Sequence, residues 1–175
     1  SGVANSGFIF LALLAATEYN FSVAAFYLIS YSIATVSAIS LVTYISSNKF
    51  DLVYIKDLKG MSSRSGYISL LFMITLLSTA GIPLTVGFYA KYLVMDMLIE
   101  KELVVTAIIV ILMTVVGLYY YLRVIWFMFF EQGMNSIINT KGSLFKLMLS
   151  VIPALIVLIF LFPDLILQYI FSILT

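Results

Sequence analysis

Apolar stretches long enough to cross a lipid bilayer occupy most of this sequence. A membrane-spanning helix needs about 20 mostly apolar residues, and six hydrophobic segments approach or exceed that length. Of the 175 residues, 63% are hydrophobic and 10% are charged, whereas an average soluble domain has about 25% charged residues. A water-soluble fold could not bury this much apolar surface. The sequence therefore predicts an all-α, polytopic bundle of transmembrane helices.

Short polar segments divide the chain into about six predicted spans. The predicted boundaries are about 3–17, 21–46, 65–80, 85–99, 103–130 and 144–174. The longest polar segment, residues 47–65, has a small excess of basic residues, which weakly favours the cytoplasmic or matrix side of the membrane. The last span contains Pro153 and Pro163, so we expect it to be kinked, with a break at Pro163-Asp164.

The third and fourth spans form one unusual apolar region. Residues 65–99 contain two charged side chains, Lys91 and Asp96. As one continuous helix the region would be roughly 52 Å long, which is too long for one span and too short for two comfortable ones. Gly81, Pro83 and Gly87 lie in its middle, and a proline removes a backbone donor and clashes with the preceding turn. We therefore predict a discontinuous helix around residues 81–88, a pattern that marks ion sites in transporters.

Lys91 follows this break directly and is the strongest candidate for a functional residue. An ionisable side chain inside an apolar span costs about 2.5–3.5 kcal/mol on insertion scales, and it is a functional hypothesis by default. Such a lysine could load and release a proton supplied by water chains. The alternative is a lysine near a helix end whose ammonium reaches the headgroups. Asp96 is either a carboxylate partner in the same path or an interfacial residue.

Other polar positions have simpler interpretations. Arg123 follows three tyrosines and precedes Trp126, a composition typical of an interface belt, so we predict an interface anchor. The alternative is that Arg123 holds a partner helix or a lipid headgroup. Hydroxyl residues of the second span, including Thr35, suit close helix packing or a proton relay.

The missing residue types exclude several functions. The sequence has no Cys and no His, which removes the usual ligands of zinc, haem and iron–sulfur clusters. We expect no cofactor and no metal bound by this chain. Its net charge of +1 without a basic run gives no reason to expect a nucleic-acid partner.

Several motifs, in order along the chain, resemble those of a known family. Residues 77–92 read LSTAGIPLTVGFYAKY, and residues 116–124 read VGLYYYLRV. Both are similar to signatures of antiporter-like subunit 2 of NADH:quinone oxidoreductase, respiratory complex I. Weaker similarities to the same family lie at residues 1–8, 27–35 and 57–60. The resemblance thus covers at least residues 1–124.

This resemblance implies a fold, a site and partners. Residues 1–131 would form the second of two inverted antiporter-like repeats, and residues 132–175 a loop and the final helix. Lys91 would be the proton-loading site of a half-channel, coupled to quinone reduction elsewhere in the complex. Without a histidine in the polar axis, Tyr31, Thr35 and water would have to bridge the distance to it. The FMN, iron–sulfur clusters and quinone of complex I would lie in other subunits.

The resemblance also leaves alternatives open. A separate polypeptide would supply the first repeat, unless that part was removed or is simply not included here. The partners would be the other membrane-arm subunits and lipids, in the mitochondrial inner membrane or, alternatively, a bacterial plasma membrane or thylakoid. Rival functions are a subunit of a cation/proton antiporter or plastid complex, and a structural scaffold with a degenerate channel.

Overall fold

The computed structural model describes residues 2–16, 21–46, 54–133 and 143–174. Within these ranges every regular element is helical, so the all-α prediction is confirmed. The helices are α1 (Gly2–Ala15), α2 (Phe21–Ser46), a 3₁₀ helix (Ile55–Leu58), α3 (Met61–Arg64), α4 (Gly66–Ala80), α5 (Val86–Glu100), α6 (Val104–Phe129), α7 (Ser143–Leu161) and α8 (Pro163–Leu174). Ser1 and the predicted loop positions 47–53 and 134–142 lie outside the described residues.

Helix α2 is the centre of the bundle. It packs against α1, α4, α5, α7 and α8, while α6 packs against α4 and α5 on the outside. The buried face of α2 includes the small residues Ala24, Ser30, Ala34 and Ser37. Small side chains let helices approach closely where no hydrophobic effect drives their association, as in lipid. Composition thus explains why this helix, rather than the more apolar α6, lies inside.

Two of the described helices are long and apolar enough to cross a membrane by themselves. They are α2 and α6, each of 26 residues. The bent pair α7 and α8 would count as a third span, and α1 and α4 are shorter apolar helices. The predicted number of six spans, and the division at residue 131, stay predictions.

The final helix differs from the single kinked span that we expected. The chain bends by 89° between α7 and α8, and Pro163 is the first residue of α8. A proline cannot continue a preceding helix but suits the first position of a new one. Pro153, by contrast, lies inside α7. The helix therefore breaks at Phe162, directly before the predicted position Pro163-Asp164, and the bend is much sharper than a kink.

The described part of the polar loop docks onto the end of α6. The backbone N–H of Gly60 donates to the carbonyl oxygen of Phe127 at 3.2 Å. Lys59 forms an ion pair with Glu131, and its ammonium lies 5.3 Å from the centre of the Phe127 ring. Gly60 has a φ of +63°, a conformation that glycine adopts at little cost. This contact fixes one end of α6 beside the start of α4.

Candidate functional site: a lysine at the α4–α5 break

Helix α4 ends at the predicted break, and its end is capped by its own backbone. Gly81 has a φ of +82°, and its N–H donates to the carbonyl oxygens of Leu77 and Ser78, each at 3.0 Å. The N–H of Ile82 also donates to Leu77 at 3.0 Å. This is the Schellman arrangement, in which a glycine in the left-handed region satisfies carbonyls of the last turn. Of the last four carbonyls of α4, the cap thus satisfies those of Leu77 and Ser78.

Lys91 satisfies the other two carbonyls. Its Nζ donates to the carbonyl oxygens of Thr79 and Ala80, each at 3.0 Å. The carbonyl end of a helix carries a partial negative charge and attracts a cation. In the described residues no acidic side chain forms an ion pair with Lys91. Its charge is therefore held by backbone dipoles of a neighbouring helix rather than by a carboxylate.

The connection from α4 to α5 brings the two helices into backbone contact. Leu84 has a φ of +76°, a strained value for a leucine of the kind that collects at functional sites. A Cβ on Gly87 would overlap the carbonyl oxygen of Ser78, so only glycine fits there. Pro83 lies exposed in the turn between the helices. The three residues predicted to break the helix, Gly81, Pro83 and Gly87, all lie in or beside this connection.

Cavities adjoin Lys91 on several sides. One of about 200 Å³ lies between α1 and α6, and one of about 290 Å³ lies between α5, α6 and the α4–α5 connection. A third, of about 10 Å³, also reaches Tyr31 and is about the size needed for one water molecule. Lys91 therefore borders three cavities that are lined by different helices.

The structure separates the three predicted relay residues. Tyr31 shares the smallest cavity with Lys91. The hydroxyl of Thr35 instead donates to the carbonyl oxygen of Tyr31, 2.8 Å away, in its own helix. Asp96 lies further along α5 with an exposed side chain. Tyr31 thus lies beside the same cavity as Lys91, whereas Thr35 and Asp96 do not line that cavity.

Arg123 lies far along α6 with an exposed side chain. Its guanidinium carbon is 5.8 Å from the centre of the Phe127 ring, close enough for a cation–π contact. Trp126 is also exposed and stacks on Phe130 at 4.7 Å. An exposed arginine among aromatic rings is compatible with the interface anchor that the sequence predicts.

Three residues near Lys91 were not predicted as site residues. Phe8 places its ring centre 5.5 Å from Lys91 Nζ. That ring stacks on Tyr27 with a centre distance of 5.4 Å, and the Tyr27 hydroxyl donates to Asn5 Oδ1 at 2.9 Å. A lone amide in an otherwise apolar segment was the available signal. Which helix would face it depends on the packing order, which the sequence does not reveal.

An apolar helical bundle with a half-buried lysine at a broken helix is the arrangement of an antiporter-like membrane protein. A family model described as "NADH:quinone oxidoreductase/Mrp antiporter, TM" matches residues 1–117. This chain belongs to that family, as its motifs predicted.

Individual relatives agree with this assignment. NADH-quinone oxidoreductase subunit N of Coxiella burnetii is 35% identical over 164 residues, covering 93% of this chain and 34% of that protein. The Alkalilimnicola ehrlichii protein of the same name is 36% identical over 143 residues, covering 82% and 29%. The chain thus spans about a third of the length of these relatives.

The fold has a solved counterpart. A chain of the structure described as respiratory complex I from Thermus thermophilus with bound aureothin superposes with a TM-score of 0.75. The match covers 93% of this chain and 36% of the other, at 23% sequence identity. This likeness supports the helical fold, and the site residues must be argued from their own geometry.

Proposed function

We propose that this chain contributes a half-channel for proton translocation to a membrane-bound NADH:quinone oxidoreductase, with Lys91 as its proton-loading site. The observation that carries the proposal is the position of Lys91. Its ammonium lies at the break between two helices, where it donates to the carbonyl oxygens of Thr79 and Ala80 and borders cavities. Unwound backbone and an ionisable group at such a place are the usual components of an ion path through a membrane.

A proton could reach Lys91 through the cavities and leave it without disrupting the bundle. When Lys91 loses its proton, its amine keeps two N–H groups but loses its positive charge, so its attraction to the carbonyl end of α4 weakens. The charge state of one side chain is thereby linked to the α4–α5 connection. Tyr31 is our proposed relay on the side of α2, because it shares a cavity with Lys91.

The relatives' names favour NADH:quinone oxidoreductase over a cation/proton antiporter as the host complex. We accordingly propose other subunits of such a complex, and membrane lipids, as partners, with a separate polypeptide supplying the first repeat if it is not part of the same chain. Both relatives named above are bacterial, which favours the bacterial plasma membrane over the mitochondrial inner membrane. We expect the redox cofactors to lie in other subunits.

Vesicles carrying the purified complex would separate the rival functions. NADH and a quinone should drive proton uptake, and the uptake should persist when no sodium gradient is present. A cation/proton antiporter would instead move protons in response to a sodium gradient without NADH. A scaffold would leave NADH-driven uptake unchanged when Lys91 is replaced by Met.

A further inference from the structure

The Lys91 ammonium also lies close to an aromatic ring. A lysine ammonium has three N–H groups, and hydrogen bonds to Thr79 and Ala80 can use two of them. The ring centre of Phe8 is 5.5 Å from Nζ. That distance lies within the roughly 6 Å over which a cation is attracted to the face of an aromatic ring.

Two other residues fix the position of this ring. Phe8 is buried and stacks on the buried Tyr27, with the ring planes 10° apart. The Tyr27 hydroxyl donates to Asn5 Oδ1, and Asn5 lies three residues before Phe8 on α1, so the two share one helix face. The ring is therefore held from both α1 and α2.

We propose that Phe8 is a positioning residue for Lys91, and that Tyr27 and Asn5 hold the Phe8 ring in place. The ring face attracts the charged ammonium and keeps it against the α4 carbonyls, whereas a neutral amine would be held less firmly. With no carboxylate of the described residues paired to Lys91, the ring is the side-chain partner of its charge. This inference rests on the proposed function of Lys91.

The test is a set of variants in the intact complex, measured as NADH-driven proton uptake per electron alongside assembly. Phe8→Leu removes the ring, and Phe8→Tyr keeps it. We expect Phe8→Leu to lower the Lys91-dependent part of uptake by about two- to tenfold, in line with cation–π interactions. The proton uptake of Phe8→Tyr should stay near that of the unaltered protein. Phe10→Leu is the matched control, because Phe10 lies on the same helix with its side chain exposed.

Rescue by tyrosine separates an aromatic role from simple packing. Equal losses in Phe8→Leu and Phe8→Tyr would overturn the inference, since packing alone would then explain both. If Phe8→Leu does not assemble, Tyr27→Phe decides, because it keeps the stacked ring and removes only the hydrogen bond to Asn5. A partial loss of uptake in Tyr27→Phe would support the inference, and unchanged uptake would overturn it.

Lys91→Met separates the proposed function of Lys91 from the positioning role of Phe8. If Lys91→Met lowers uptake and Phe8→Leu does not, the role of Phe8 is refuted and the proposed function stands. If Lys91→Met leaves uptake unchanged, the proposed function fails and the role of Phe8 fails with it.

Discussion

The ammonium of Lys91 lies 3.0 Å from the carbonyl oxygen of Ala80, the last residue of α4. A side chain of α5 thus completes the cap of α4. Loss of the lysine would leave two carbonyls without their partner, and an unsatisfied buried carbonyl costs about 1–3 kcal/mol. The same residue is therefore both a structural cap and the candidate proton site. Experiments on it must record assembly as well as transport.

Gly81→Ala is expected to displace Lys91. The φ of Gly81 is +82°, and an added Cβ would lie 2.8 Å from Cδ of Lys91. The left-handed conformation costs a residue other than glycine about 1–3 kcal/mol. We expect a lower thermal stability of the complex in detergent and a lower proton uptake. Gly7→Ala is the control, because a Cβ there meets nothing within 4 Å. Unaltered uptake and stability in Gly81→Ala would show that Lys91 is not held as described.

Thr75→Val should weaken the contact between α2 and α4 without touching the lysine. The hydroxyls of Ser37 and Thr75 are buried and lie 2.7 Å apart. Hydrogen bonds of this kind inside membrane proteins are worth about 0.6 kcal/mol on average and up to about 1.7 kcal/mol. We expect a small fall in thermal stability with proton uptake retained. The control is Ser40→Ala, because the hydroxyl of Ser40 donates to the carbonyl oxygen of Val36 within its own helix.

A double-mutant cycle makes this prediction sharper. If Ser37→Ala and Thr75→Val act through their shared bond, their combined cost should be smaller than the sum of the single costs. Strict additivity would show that the two hydroxyls do not support each other.

Tyr31→Phe and Asp96→Asn should differ in their effects on transport. Tyr31 shares a cavity with Lys91, while Asp96 is exposed beyond it on α5. We expect Tyr31→Phe to slow NADH-driven proton uptake several-fold, which is less than the roughly 10²–10⁴-fold contribution of a positioned general acid or base to catalysis. Asp96→Asn should leave the uptake near that of the unaltered protein. The reverse order would contradict the relay role proposed for Tyr31.

The break between α4 and α5 could be predicted because its chemistry is local. Pro83 restricts the backbone in any surroundings, and Gly81 permits the left-handed conformation, which it does adopt. The position of Lys91 just beyond the break could also be predicted from the sequence. Its hydrogen bonds to the carbonyl oxygens of Thr79 and Ala80 could not be predicted, because they depend on the angle at which α5 folds back on α4.

The environment of the lysine depends on contacts between distant parts of the chain. Phe8, Tyr27 and Asn5 meet Lys91 only because α1 and α2 both pack against α5. Hydrophobic periodicity does not specify which helices will be neighbours when most faces are apolar. The 89° bend between α7 and α8 also depends on packing between distant parts of the chain. A proline predicts a break, but packing of both helices on α2 sets the angle.

The most direct test of the central claim is the number of protons translocated per electron in the complex carrying Lys91→Met. Lys56→Met is the matched control, since Lys56 is exposed in the segment between α2 and α3. With assembly intact in both variants, we predict that the ratio and the coupled NADH oxidation rate fall in Lys91→Met and stay normal in Lys56→Met. A normal ratio and rate in a fully assembled Lys91→Met complex would contradict the account and leave Lys91 as a helix cap in a scaffold.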